Sequence, residues 1–207
     1  MIILLLLFAY LLGSVPTGVI LARLSGGADP RTRGSGNIGA TNIYRIAGKK
    51  LGLLTLICDI AKGVAPVVIA REVPIPPVWV AAVALAVFLG HIHSIFLKFS
   101  GGKGIATALG AFLALSPAPA VMAFFVFLAF VYRWRYISLG SLAATAAFPL
   151  FLALMDPQRI HLPFAIVIGI VIFYRHRLNI RRLWAGTESK FGRTGAASIS
   201  PVEPPTG

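Results

Sequence analysis

The run Gly34-Ser35-Gly36-Asn37-Ile38-Gly39-Ala40-Thr41-Asn42, followed by Arg45, gathers small hydrogen-bonding residues in a chain that is otherwise one apolar segment after another. Glycine lets backbone N–H groups approach a ligand closely, Ser35, Asn37 and Thr41 carry short polar side chains, and Arg45 offers a rigid cationic fork. Together these make a plausible anion cradle. Taken alone, such a run is more often a solvated inter-helix loop.

A second cluster is Gly101-Gly102-Lys103-Gly104-Ile105-Ala106-Thr107, where glycines precede a helix start. Unpaired N–H groups and the positive end of the dipole favour a phosphate there, and Lys103 supplies a point charge. It is not a Walker loop, because Leu97 holds the position of that motif's first glycine and Gly104 follows the lysine. A third cluster is Tyr174-Arg175-His176-Arg177-Leu178-Asn179-Ile180-Arg181-Arg182, which by itself reads as a basic flank anchoring a membrane helix. His176 and Asn179 are three apart, so a continuing helix puts them on one face.

Inside the apolar runs, Asp59 and Lys62 stand out. Three residues apart, they can neutralise each other, and charge at membrane depth is rare enough to suggest function; the alternative is a snorkelling Lys62 with Asp59 as compensation. His91 and His93, at i and i+2, face different ways and lack acidic or thiol partners at ligand spacing, so they read as polar anchors and not as a metal site. Ser138, Ser141 and Thr145 read as polar contacts between helices. Asp59 is the one carboxylate well inside an apolar run and Glu188 lies just past the last, so a paired-carboxylate glycosidase or a Ser-His-Asp hydrolase is hard to assemble. No histidine is followed, after four residues, by aspartate, so the signature of acyl-CoA-dependent glycerolipid acyltransferases is missing.

The elements that must position these clusters follow from composition. Of 207 residues, 57% are hydrophobic and 12% charged, and the mean hydropathy is +0.87. That is an integral membrane protein. Net charge +13 would suggest nucleic acid in a soluble domain, but no stretch is long and polar enough to form one, so the charge belongs beside the bilayer and nucleic acid is not a partner. The single cysteine, Cys58, excludes an intrachain disulfide. The start of the chain lacks a basic n-region and runs on to about Leu24, so a first spanning helix is expected in place of a signal peptide.

A crossing takes about 20 apolar residues. Ile2 to Ala22, Leu51 to Ala70, Val78 to Leu97 and Ile137 to Met155 qualify, and Leu162 to Tyr174, extended toward Asn179, is another. Ser116-Pro117-Ala118-Pro119 splits the region Ile105 to Tyr132 into two short helices. The expectation is therefore an all-α, polytopic protein of about seven transmembrane helices, two of them short. With seven, Arg31, Arg33, Arg45, Lys49, Lys50, Lys98, Lys103, Arg133, Arg135 and the basic tail share one face, which the positive-inside rule makes cytoplasmic, with the N-terminus outside. Only Arg71 and Arg159 fall opposite. The chain is expected to form a single transmembrane domain over 1–191 and a disordered tail over 192–207, which is rich in Gly, Ser, Thr and Pro with little apolar content.

The clusters in this order resemble the bacterial acyl-phosphate-dependent glycerol-3-phosphate acyltransferase family. The resemblance rests on GSGNIGATN with Arg45, on Asp59-Ile60-Ala61-Lys62-Gly63, on Gly90-His91 running into Phe99-Ser100-Gly101-Gly102-Lys103-Gly104-Ile105-Ala106-Thr107, and on Tyr174-Arg175-His176-Arg177 with Asn179-Ile180 and Arg182-Leu183. It implies transfer of an acyl group from acyl phosphate to the 1-hydroxyl of glycerol 3-phosphate in the bacterial inner membrane, giving lysophosphatidic acid and phosphate, the first step of phospholipid synthesis. No metal or organic cofactor is called for. The resemblance also suggests a soluble phosphate acyltransferase as supplier of the donor.

On that reading Ser35, Gly36, Asn37, Thr41, Arg45, Gly102, Lys103 and Gly104 hold glycerol 3-phosphate, while Ser141, His176 and Asn179 hold acyl phosphate. His176, Asn37 and Lys103 are the expected catalytic residues. The base is either His176 or the departing phosphate of the donor. The competing reading is a small permease for an organic phosphate, which should carry polar clusters on both faces; here the second face has almost none.

Overall fold

The computed structural model describes residues 1–156 and 159–192, so all but Gly192 of the tail expected over 192–207 lies outside the described residues. Among them it contains ten α-helices: α1 Ile2–Ser14, α2 Thr17–Leu24, α3 Ala40–Ala47, α4 Lys49–Arg71, α5 Pro77–Ile92, α6 Ile105–Leu115, α7 Pro117–Trp134, α8 Ile137–Met155, α9 Leu162–Arg175 and α10 Arg177–Trp184. Leu4 of α1, Phe125 of α7, Leu154 of α8 and Ile170 of α9 are among the large apolar side chains that point outward. Only hydrocarbon can cover such a surface, and helices satisfy their own backbone within it.

By length and composition α4, the helix from α5 through its terminal 3₁₀ turn, α7 and α8 can each cross a bilayer; α1 with α2, and α9 with α10, can do so as bent pairs. The first of these bends replaces the continuous span expected over Ile2 to Ala22. Pro16 has no N–H to continue the ladder, and α2 leaves α1 at 42°. The last pair turns by 58° at His176.

Ser116 separates α6 from α7 as expected, but only α6, with 11 residues, is short. Pro117 and Pro119 sit in the first turn of α7, where a missing N–H costs nothing, so the helix starts at Pro117 and runs a full 18 residues.

Glycines set the close helix crossings. A methyl group on Gly63 of α4 would sit 2.2 Å from the Thr107 carbonyl oxygen, and one on Gly110 of α6 would sit 2.1 Å from that of Ile60. Gly13 of α1 and Gly90 of α5 make the same reciprocal approach, each 2.1 Å from a carbonyl oxygen of the partner helix. Backbones packed this closely need small residues at the seam. Around them lie two buried clusters, one centred on Phe88, Phe112, Phe148 and Ile168, the other on Val67, Val83 and Val87.

The chain past α10 does not leave the body at once. The Phe191 N–H donates to the Arg135 carbonyl at 2.6 Å, and its ring lies 5.2 Å from that of Tyr44. Glu188 is buried.

Candidate active site

Asn42 organises the first cluster. Buried in the first turn of α3, it accepts the Ser35 N–H at 2.8 Å through Oδ1 and donates through Nδ2 to the carbonyls of Pro30, Arg33 and Asn37 at 2.9, 3.1 and 2.8 Å. One amide thereby closes the whole loop around itself. Gly34 is tied to it as well, since a side chain there would meet Asn42 Oδ1 at 2.3 Å and the backbone is left-handed, φ 62°. Asn37 Oδ1 takes the N–H of Gly39 at 2.8 Å.

The second cluster lies against the C-terminal end of α5. Gly101 N–H donates to the Ile92 carbonyl at 3.1 Å and Gly102 N–H to that of His91 at 3.2 Å. Arg175 reaches over from the end of α9 and gives Nη2–H to the Gly101 carbonyl at 2.5 Å and Nε–H to that of Gly102 at 3.1 Å. With both edges engaged, these glycines build the loop, and Lys103 projects from it.

The third cluster carries the histidine. His176 is buried, and its Nδ1 lies 2.9 Å from the Ile172 carbonyl. A carbonyl can only accept, so Nδ1 carries the proton and Nε2 is the lone-pair nitrogen of the neutral ring. Asn179 Oδ1 accepts from Lys103 Nζ, and Asn179 Nδ2 donates to Glu188 Oε1 at 2.6 Å. Glu188 also accepts from Ser138 at 2.7 Å and from Arg182 Nε at 2.7 Å.

Burial works to raise the Glu188 carboxyl, but the hydrogen bonds from Arg182, Asn179 and Ser138 hold it below its ordinary value. Lys103 moves the opposite way. Burial, and then the cationic Arg182, Arg45 and Arg175 around it, bring the ammonium down to about 8 against the pull of Glu188. Four cations facing one carboxylate make a site that a further anion would relieve.

The three clusters converge on one cleft of about 690 Å³, walled by Ser35, Asn37, Thr41, Arg45, Lys103, Gly104, Ser141, His176 and Asn179. Of the residues expected at a site, Gly36 and Gly102 stand behind this wall. Their N–H groups donate to the carbonyls of Arg33 and His91, so their part is to shape the loops.

The anion pockets drawn separately from sequence share a wall, because Lys103 and Asn179 are in direct contact. Ser138, expected only as contact between helices, holds Glu188. Lys62 does not snorkel: its side chain is 5% exposed and its ammonium turns inward to Asp59, 2.8 Å away. Sequence reasoning missed Asn42 as the loop's anchor and Glu188 as the carboxylate of the site; Asp59, which stood out in sequence as a charge at membrane depth, and His91, read there as a polar anchor, are both part of the lining. Glu188 carried no usable signal, since it lies beyond the turn at Gly186 and nothing periodic links it to α10.

Adjoining this cleft is an apolar groove of about 390 Å³ between α4, α6, α7, α8 and α9; Leu56, Ile105, Ala106, Phe127 and Ser141 line both. The Gly110 and Gly63 crossings hold two of its walls together.

Helices that must lie in hydrocarbon, carrying a cation-rich cleft that opens into an apolar groove, define an integral membrane protein whose site joins cationic and apolar walls. The family model described as glycerol-3-phosphate acyltransferase matches residues 3–186. A relative from Geotalea daltonii, named glycerol-3-phosphate acyltransferase, is 49% identical over 92% of this chain and 98% of its own length. One of the same name from Geobacter sulfurreducens is 51% identical over 88% and 94%. Among solved structures, PlsY (YgiH), an integral membrane glycerol 3-phosphate acyltransferase in its glycerol 3-phosphate form, superposes with a TM-score of 0.88 at 45% identity, covering 92% of this chain and 96% of that one. This chain belongs to the glycerol-3-phosphate acyltransferase family.

Proposed function

We propose that this chain transfers a fatty acyl group from acyl phosphate to the 1-hydroxyl of glycerol 3-phosphate, releasing lysophosphatidic acid and inorganic phosphate. Family membership carries the acceptor and the acyl transfer. The donor reading rests on one observation: a cationic cleft merges with an apolar groove through Leu56, Ile105, Ala106, Phe127 and Ser141. A phosphate head joined to an alkyl tail fits that shape. The same membership removes the permease reading.

The acceptor phosphate is assigned to Ser35, Arg45 and Lys103, with Asn37 and Thr41 beside the glycerol hydroxyls. The donor phosphate is assigned to Ser141, His176 and Asn179, with its tail in the apolar groove. The acceptor oxygen attacks the acyl carbon, the bond from that carbon to the phosphate oxygen breaks, and the hydroxyl proton passes to His176 Nε2 or to the departing phosphate. An acyl phosphate is already activated, so positioning and stabilisation of the developing oxyanion suffice. The positive-inside rule supports a reading with seven crossings, counting α6, the N-terminus outside, and the cleft on the cytoplasmic face of the bacterial inner membrane. A soluble phosphate acyltransferase on that side would supply the donor.

Purified protein in detergent, given palmitoyl phosphate and labelled glycerol 3-phosphate, should yield labelled lysophosphatidate, and palmitoyl-CoA should not replace the donor. Product from palmitoyl-CoA alone would overturn the donor assignment. Lys103→Ala and Arg45→Ala should each raise KM for glycerol 3-phosphate about ten- to a hundredfold, with a much smaller effect on the donor; equal effects on both substrates would reject the pocket assignment.

A further inference from the structure

The floor of the cleft, and the interior just behind it, hold polar groups that the reaction as described does not use. Asp59 and Lys62 have side chains 3% and 5% exposed. Asp59 Oδ1 takes a hydrogen bond from Thr17 at 2.6 Å and the Lys62 ammonium at 2.8 Å. Lys62 spends a second proton on the Val15 carbonyl at 2.8 Å, at the break where Pro16 interrupts the helical ladder. The network thus joins the bend between α1 and α2 to α4.

Asp59 also packs, without a hydrogen bond, against the residue that backs the glycine loop. His91 Nδ1 lies 3.8 Å from Asp59 Oδ1 and 3.1 Å from Thr107 Oγ1, in the first turn of α6. The other edge of the ring backs directly on Gly102, where an added methyl would meet Nε2 at 2.3 Å. The His91 carbonyl meanwhile accepts the Gly102 N–H. Ring and backbone of one residue therefore seat the loop that presents Lys103. A buried ion pair contributes little net stability once desolvation is counted, so this one calls for another reason to persist.

We infer that Asp59, held by Lys62 and Thr17, and His91 are positioning residues for the acceptor: Asp59 packs against the His91 ring, the ring backs Gly102, and together they fix where Lys103 meets the phosphate of glycerol 3-phosphate. The inference rests on the assignment of that phosphate to Lys103. Neither side chain is assigned a contact with the reacting atoms.

The double variant Asp59→Asn/Lys62→Met removes both charges together, so no lone charge is left buried. It should melt near the wild-type Tm while KM for glycerol 3-phosphate rises about tenfold and kcat and the donor KM change less than about twofold. His91→Asn, which keeps a donor near Thr107 but removes the ring edge behind Gly102, should show the same split. A wild-type acceptor KM in the double variant, whether its Tm is lowered or not, would overturn the inference. An unchanged acceptor KM in His91→Asn would do so independently, even if the double variant failed to fold. Lys103→Ala run in parallel separates the layers: an unaffected acceptor KM there sinks the pocket assignment and this inference with it, whereas a raised KM beside an inert His91→Asn sinks this inference alone.

Discussion

The His176 Nδ1–H donates a hydrogen bond to the Ile172 carbonyl, so only Nε2 is left to serve the reaction. His176→Gln keeps a polar group of similar reach but no basic nitrogen. If the ring is the base, kcat should fall on the order of a hundredfold or more, whereas a fall below about tenfold assigns the proton to the departing phosphate. Lys103 has a pH consequence of its own. Its ammonium titrates at about 8 in the folded protein, so it is charged below that pH and its attraction for the acceptor phosphate is lost above it. The kcat/KM for glycerol 3-phosphate should decline as pH rises through about 8, and Lys103→Arg should move that decline upward, because guanidinium stays protonated. Asn42 shows what spacing alone does not reveal. Its four hydrogen bonds go to residues upstream of it, within the loop, and a sequence shows only a polar residue in a polar run.

At the scale of helices, the motif glycines turn out to be seams. Gly63 and Gly90 belong to motifs that can be read in the sequence, yet neither lines the cleft or the apolar groove; each lets a neighbouring backbone approach where a methyl group would collide with a carbonyl oxygen. Gly110→Ala puts that methyl 2.1 Å from the Ile60 oxygen. The helices must part, at a cost of about 1–3 kcal/mol, and the apolar groove they border should change width. A lowered Tm, with donor KM affected more than acceptor KM, is the expected result. Proline placement matters as much: Pro16 stands in the break between α1 and α2, where the span bends, while Pro117 begins α7, where its missing N–H falls in the first turn and costs nothing.

Across the whole molecule, the site closes only when the chain past α10 returns to it. Glu188 ties α10 to α8 through Asn179, Arg182 and Ser138, and Phe191 meets Tyr44 of α3 and the Arg135 carbonyl. Deleting residues 193–207 should therefore leave transfer unchanged, whereas deleting 187–207, which also removes Glu188 and Phe191, should abolish it while the apolar core still melts cooperatively. Loss of activity in the shorter deletion would show that the distal tail takes part.

The sequence by itself determined that this is an all-α membrane protein, where most helices run, and which three polar clusters matter, because hydropathy, proline breaks and glycine-rich loops are local properties of the chain. Tertiary structure alone decided that Lys103 touches Asn179, that His91 backs Gly102, and that Glu188 completes the cleft. Those contacts join residues far apart in sequence, or set the direction of a side chain across a turn, and both depend on how closely the helices pack. The glycines that permit that packing are visible in the sequence, but what each one meets is not.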